Sequence, residues 1–122
     1  MCSRYFLDAD GNIIAYTFRV PAQPVRKRFN IAPTQPAPVI RVREGAREMA
    51  MLRWGLVPFW AKDLKIGTRM INARCEGVEA KPSFRAAVKQ RRCIVPAESI
   101  FERVTAEGTG ARILLKREDL NH

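Results

Sequence analysis

Two runs in the middle of the chain alternate in part between apolar and polar residues. They are Pro38-Val39-Ile40-Arg41-Val42-Arg43 and Glu48-Met49-Ala50-Met51-Leu52-Arg53-Trp54, with Glu44-Gly45-Ala46 between them. A period of two sends successive side chains to opposite faces of a strand, so the pattern predicts a β-hairpin. The short apolar run Arg4-Tyr5-Phe6-Leu7 predicts an opening strand, followed by a turn at Asp8-Ala9-Asp10-Gly11-Asn12. Ile14 and Phe18 lie four apart, which predicts a short helix over 13–18. Pro21, Pro24, Pro33, Pro36 and Pro38 crowd the next stretch, and prolines at that density predict an ordered loop over 20–38. Gly55 to Lys65 reads as turns carrying large aromatics. Ser83 is placed as the N-cap of a helix through about Gln90. Cys93-Ile94-Val95-Pro96 predicts a strand ended by proline, and Ser99–Val104 and Ala111–Lys116 predict two more around a turn at 106–110. The sum is an α+β class, mostly β: a partly open, barrel-like sheet with short helices and no internal repeat.

Composition narrows what such a fold does. The chain has 122 residues, 47% of them hydrophobic and 28% charged, enough for one modest core. Lysine and arginine total 22 against 12 acids, a net charge of +10, and 16 of the 22 are arginine. Arginine suits bidentate phosphate contact and base stacking, so nucleic acid is the first partner to consider. The charge is spread over both halves of the chain, which fits a folded groove better than a basic tail.

Three cysteines at wide spacings, Cys2, Cys75 and Cys93, suggest neither a disulfide framework nor a zinc site. Asp8 to Arg19 resembles a calcium loop only superficially, because Ile13 and Arg19 stand where the glycine and the bidentate glutamate belong. The one histidine, His122, is assigned no role. With no signal-like segment and no apolar run of about 18 residues, a cytoplasmic, nucleoid-associated protein is expected. No cofactor, metal or membrane partner is expected.

Cys2 carries the most specific chemistry. Removal of Met1 would leave a terminal cysteine with a free α-amine, a 1,2-aminothiol. Reference pKa values of about 7.7–8.0 for the amine and about 8.5 for the thiol leave both partly deprotonated near neutral pH. An aldehyde meeting the amine forms a Schiff base, and the thiol can then close a five-membered thiazolidine.

Six ordered blocks give that residue a context. They are Met1-Cys2-Ser3-Arg4-Tyr5; Arg28-Phe29-Asn30-Ile31-Ala32-Pro33-Thr34; Arg53-Trp54-Gly55-Leu56-Val57-Pro58-Phe59-Trp60; Ile71-Asn72-Ala73-Arg74-Cys75-Glu76; Lys81-Pro82-Ser83-Phe84-Arg85; and Arg92-Cys93-Ile94-Val95-Pro96-Ala97. In this order they resemble the SRAP family (SOS response-associated peptidase, or abasic site processing protein). The resemblance implies that Cys2 captures the aldehyde of an abasic site in single-stranded DNA, after self-removal of Met1, and that strand cleavage can accompany capture.

It further implies that Asn72 holds the reacting sugar or amine and that Glu102 shuttles protons. Arg4, Arg74, Lys81 and Arg85 would contact phosphates, and Phe59 and Trp60 would stack beside the lesion. Ser3 departs from the family's glycine, and Ser99-Ile100-Phe101-Glu102-Arg103 thins the aromatic frame around the glutamate. The family domain also continues for nearly the same length again and supplies a catalytic histidine. Residues 1–122 are therefore expected to be a single, C-terminally truncated and incomplete SRAP-like domain, completed by a partner or a missing segment. The alternative expectation is a single-stranded-DNA-binding paralogue without crosslinking activity.

Overall fold

The computed structural model describes residues 3–103, together with a strand at 112–116. Its class is mixed α+β, with six strands and two short α-helices among the described residues. Strand β1 (Arg4–Leu7) turns Tyr5 and Leu7 inward, and Arg4 and Phe6 outward. It is followed by α1 (Gly11–Phe18), which starts two residues earlier than the apolar spacing predicts. The cause is Asp10. Its carboxylate accepts the N–H groups of Asn12 and Ile13, each at 3.0 Å, and so satisfies two of the donors that a helix start leaves without partners. The polar run read as a turn is therefore a helix cap.

The proline-rich stretch is not all loop. It contains β2 (Arg28–Ile31) and the start of β3 (Pro36–Arg43). Strand β3 pairs with β4 (Ala46–Arg53) in continuous register from Pro36↔Arg53 to Arg43↔Ala46, as the alternation predicts. The two-residue turn Glu44-Gly45 has φ of 53° and 79°, the double positive φ that a type I′ hairpin turn requires.

Residues 64–68 and 78–80 form 3₁₀ turns, and α2 covers Arg85–Gln90. Phe84, not Ser83, is the residue that precedes α2, and no side chain caps it. Strands β5 (Ser99–Arg103) and β6 (Arg112–Lys116) fall where the sequence predicts them.

These strands form two open sheets. One is an antiparallel sheet of order β2-β1-β5-β6, and the other is the β3-β4 hairpin. The expected strand at Cys93–Pro96 is a single bridge, in which Ile40 donates to the Ile94 carbonyl at 2.8 Å and Ile94 donates back at 2.9 Å. Prolines explain why the ladder stops there. The next pair in that antiparallel register would be Pro38 and Pro96, and neither has an N–H. Pro36 and Pro38 share the edge of Ile40 that faces away from β4, so they cost the hairpin no donor.

The core lies beneath both sheets, built from Tyr5, Leu7, Ile14, Val20, Val25, Ile31, Ile40 and Met49, with Phe18, Trp54 and Ile100 packed against it. Each such aliphatic side chain contributes about 1.5–3 kcal/mol when fully buried.

Candidate nucleic-acid interface

Trp54 organises the site at its base. Its backbone N–H donates to the Gln35 carbonyl at 3.1 Å and its carbonyl accepts the Thr34 N–H at 2.9 Å, which joins the end of β4 to the loop before β3. Its indole N–H donates to the Ile71 carbonyl at 2.8 Å and fixes the backbone immediately before Asn72. Its ring meets Tyr5 of β1 with centroids 5.6 Å apart and planes tilted by 57°. A tilted pair of this kind is favourable beyond its buried area.

Asn72 is half-buried and lines a cleft of about 610 Å³ together with Tyr5, Val39, Leu52, Trp54, Ile71, Val95 and Ile100. The cleft is mainly apolar, with Arg53, Asn72 and Arg91 as its principal polar side chains. An uncharged amide at the rim of an apolar cleft can orient an oxygen without competing as a nucleophile.

Phe59 and Trp60 sit on the turn after buried Pro58 and are 79% and 50% exposed. The loop that carries them is pinched at its base, where Gly55 and Gly67 pack backbone against backbone and the Leu56 N–H donates to the Met70 carbonyl at 2.9 Å.

Arg74, Lys81 and Arg85 are exposed along the segment that leads into α2, and the Arg85 guanidinium donates to the Ala80 carbonyl at 3.0 Å. Between them, the Glu76 carboxyl is held below its ordinary value. Its own backbone N–H is the largest cause, the Cys75 thiol adds to it, and the Lys81 charge contributes further. Cys93, open to solvent as a residue, has its thiol pushed up because neighbouring side chains crowd it, and the Arg41 charge opposes that shift.

Arg4 lies on the outward face of β1, and its guanidinium donates to the Asn30 side chain at 3.4 Å. Across the sheet Arg4 pairs with Phe101, so the antiparallel register runs the start of β1 toward the backbone of Glu102. The structure brings Asn72 and Tyr5 together in one cleft, whereas Arg4, the neighbour of Tyr5 on β1, faces the other side of the sheet. It gathers Arg74, Lys81 and Arg85 on one segment. Cys2 lies outside the described residues, and of Glu102 only the strand position is described.

The Arg4–Asn30 contact and a Phe6–Phe29 ring pair escaped sequence reasoning. The one available signal was the alternation of β1, which sends Arg4 and Phe6 to one face. Among the described residues no cluster of three His, Cys, Asp or Glu side chains could hold a metal ion, and no helix is long and apolar enough to cross a membrane.

Comparison with known proteins adds to this geometry. A family model described as SOS response associated peptidase (SRAP) matches residues 1–119. The abasic site processing protein YoqW of Bacillus subtilis (strain 168) is 41% identical over 107 residues, which make up 84% of this chain and 47% of that protein. YoaM of the same organism, also an abasic site processing protein, is 40% identical over the same shares. The chain spans about half the length of these bacterial relatives. A crystal structure of a protein from Bordetella bronchiseptica superposes with a TM-score of 0.78 at 26% identity, over 97% of this chain and 58% of that one.

Proposed function

Since the chain belongs to the SOS response associated peptidase (SRAP) family, we propose that it processes abasic sites: it binds single-stranded DNA and captures the sugar aldehyde covalently through Cys2. The observation that carries this reading is the pairing of Arg4 with Phe101, which sets the start of β1 against the strand that contains Glu102. Two peptide units span at most about 7 Å, so Cys2 stays close to Arg4 by covalent geometry alone. Tyr5 of the same strand lines one cleft with Asn72.

The chemistry begins with hydrolysis of the Met1–Cys2 bond, which frees the α-amine. The amine nitrogen attacks the aldehyde carbon, and the carbinolamine loses one water to give a Schiff base. The Cys2 thiolate then adds to the imine carbon and the nitrogen takes up a proton, which closes a thiazolidine. Glu102 serves as the proton carrier for water loss and ring closure, and Asn72 orients the sugar oxygen. Arg4, Arg74, Lys81 and Arg85 neutralise phosphates, while Phe59 and Trp60 stack beside the lesion. Strand cleavage at the captured site is the accompanying lyase activity, and DNA of the cytoplasmic nucleoid is the setting. The chain spans about half the length of its bacterial relatives, which supports reading residues 1–122 as one incomplete SRAP-like domain.

Incubation with a single-stranded oligonucleotide bearing one abasic site, followed by a denaturing gel, tests the proposal. A shifted band is expected, lost in Cys2→Ala, with an intact mass that lacks Met1. Salt-sensitive binding without a band would instead identify a binding protein that has no crosslinking activity.

A further inference from the structure

The outward face of the β2-β1-β5 sheet has a local irregularity. Tyr5 pairs with Ile31 and Leu7 with Arg28, so two residues of β2, Phe29 and Asn30, stand opposite the single residue Phe6. Such a bulge re-aims side chains that regular alternation would send to opposite faces. Here both point outward. Phe29 meets the Phe6 ring with centroids 5.0 Å apart, and Asn30 accepts from outward-facing Arg4. The next residue, Ile31, returns to the core with no exposed surface. Phe29 remains 59% exposed although Phe6 covers one side of it.

An aromatic pair with one exposed ring, held by a bulge and with a guanidinium beside it, has the two parts that single-strand recognition uses, a ring face and a cation. The surrounding charge has the sign that a polyanion requires. Arg26 and Lys27 lie three and two residues before Phe29, with the Lys27 ammonium 3.4 Å from Asp8. Arg28, directly before Phe29, donates to Gln35 at 2.7 Å and keeps its charge, and the chain carries a net charge of +10. We infer that Phe29, backed by Phe6, is a stacking platform for an unpaired DNA base, which extends the strand's track from the proposed capture site along the outer face of the sheet. Phe29 supplies the ring face. Phe6 fixes its orientation, and Arg4 with Asn30 borders it on the side nearest the chain start. This rests on the single-stranded-DNA reading above and adds a base-binding subsite to it.

The test uses two fluorescent strands of roughly 12 units, within the footprint of one single-strand-binding surface. One is oligothymidylate, and the other is a tetrahydrofuran backbone of equal length and charge that lacks bases. Anisotropy titration of the full chain is expected to show tighter binding to the strand with bases. Phe29→Ala and Phe29→Leu should weaken binding to the strand with bases about 5- to 150-fold and shrink the preference by the same factor, Phe59 and Trp60 supplying what remains, without changing the salt slope. Phe29→Trp should preserve it, which controls for folding. Equal binding of both strands by the wild-type chain would overturn the inference. So would a preference that survives Phe29→Leu undiminished, or a loss that falls equally on both strands. Neither strand carries an aldehyde, so failure of Cys2 capture leaves this result standing.

Discussion

Replacing Gly55 by alanine tests how the Phe59–Trp60 loop is held. Gly55 has φ of +135°, a backbone region that side chains rarely adopt, and an added Cβ would sit 2.4 Å from the Gly67 carbonyl oxygen. Holding a non-glycine residue there costs about 1–3 kcal/mol. Relief of the clash needs a shift of about 1 Å, since carbon and oxygen normally approach to about 3.3–3.6 Å. That shift would break the Leu56 to Met70 hydrogen bond, which contributes about 1 kcal/mol. The sum is about 2–4 kcal/mol, and at roughly 3–6 °C per kcal/mol for a chain of this length the melting temperature should fall by about 6–24 °C. Gly45→Ala is the control, because Gly45 has φ of +79° with open space around it and so reports backbone strain alone, about 1–2 kcal/mol. Thermal melts followed by circular dichroism compare the two. Single-strand affinity should fall with Gly55→Ala and hold with Gly45→Ala, since only the first displaces Phe59 and Trp60. A Gly55→Ala chain as stable as Gly45→Ala would refute the reasoning from close approach.

Two further outcomes are expected. Glu44 occupies a positive-φ position of the hairpin turn, where asparagine is far better tolerated, so Glu44→Asn should raise the melting temperature by about 2–5 °C; a decrease would show that the turn is not under strain. At Cys93, crowding favours the neutral thiol in the folded state, so the iodoacetamide rate should reach its midpoint above the ordinary thiol range, and higher again in Arg41→Gln. The matching stability term is complete below the unfolded thiol value and declines as pH rises through the folded one, and a midpoint at or below the ordinary range would contradict it.

Much of the framework was legible because it depends on local rules. Alternation over 38–54 located the hairpin, and the last two described strands fall within the runs 99–104 and 111–116, while the turn expected at 106–110 lies outside the described residues. The departures have particular causes. Asp10 looks like a turn residue until its carboxylate is seen to cap a helix, and β2 was hidden among prolines that lie just outside it. Cys93–Pro96 has strand composition, but its partner edge offers Pro38 where a donor is needed. The site divides in the same way. Arg4, Asn72, Arg74, Lys81 and Arg85 could be named from ordered motifs, whereas the Phe6–Phe29 pair depends on a bulge that no periodicity reveals. Trp54 stands in the block Arg53–Trp60 with nothing there to mark a second role. It packs against the core, and it also holds the backbone at Ile71 beside Asn72.

The pairing of β1 with both β2 and β5 sets an order of events during synthesis. One edge of β1 can be satisfied once residue 31 has been made, but the other waits for residues 99–103. At about 5–20 residues per second, those 72 further residues take roughly 4–14 s. Throughout that interval Tyr5 has no strand partner at Ile100, and the edge leading back toward Cys2 lacks its neighbour. The start of β1 is thus enclosed late, and a nascent chain presents it long before the strand bearing Glu102 exists to meet it.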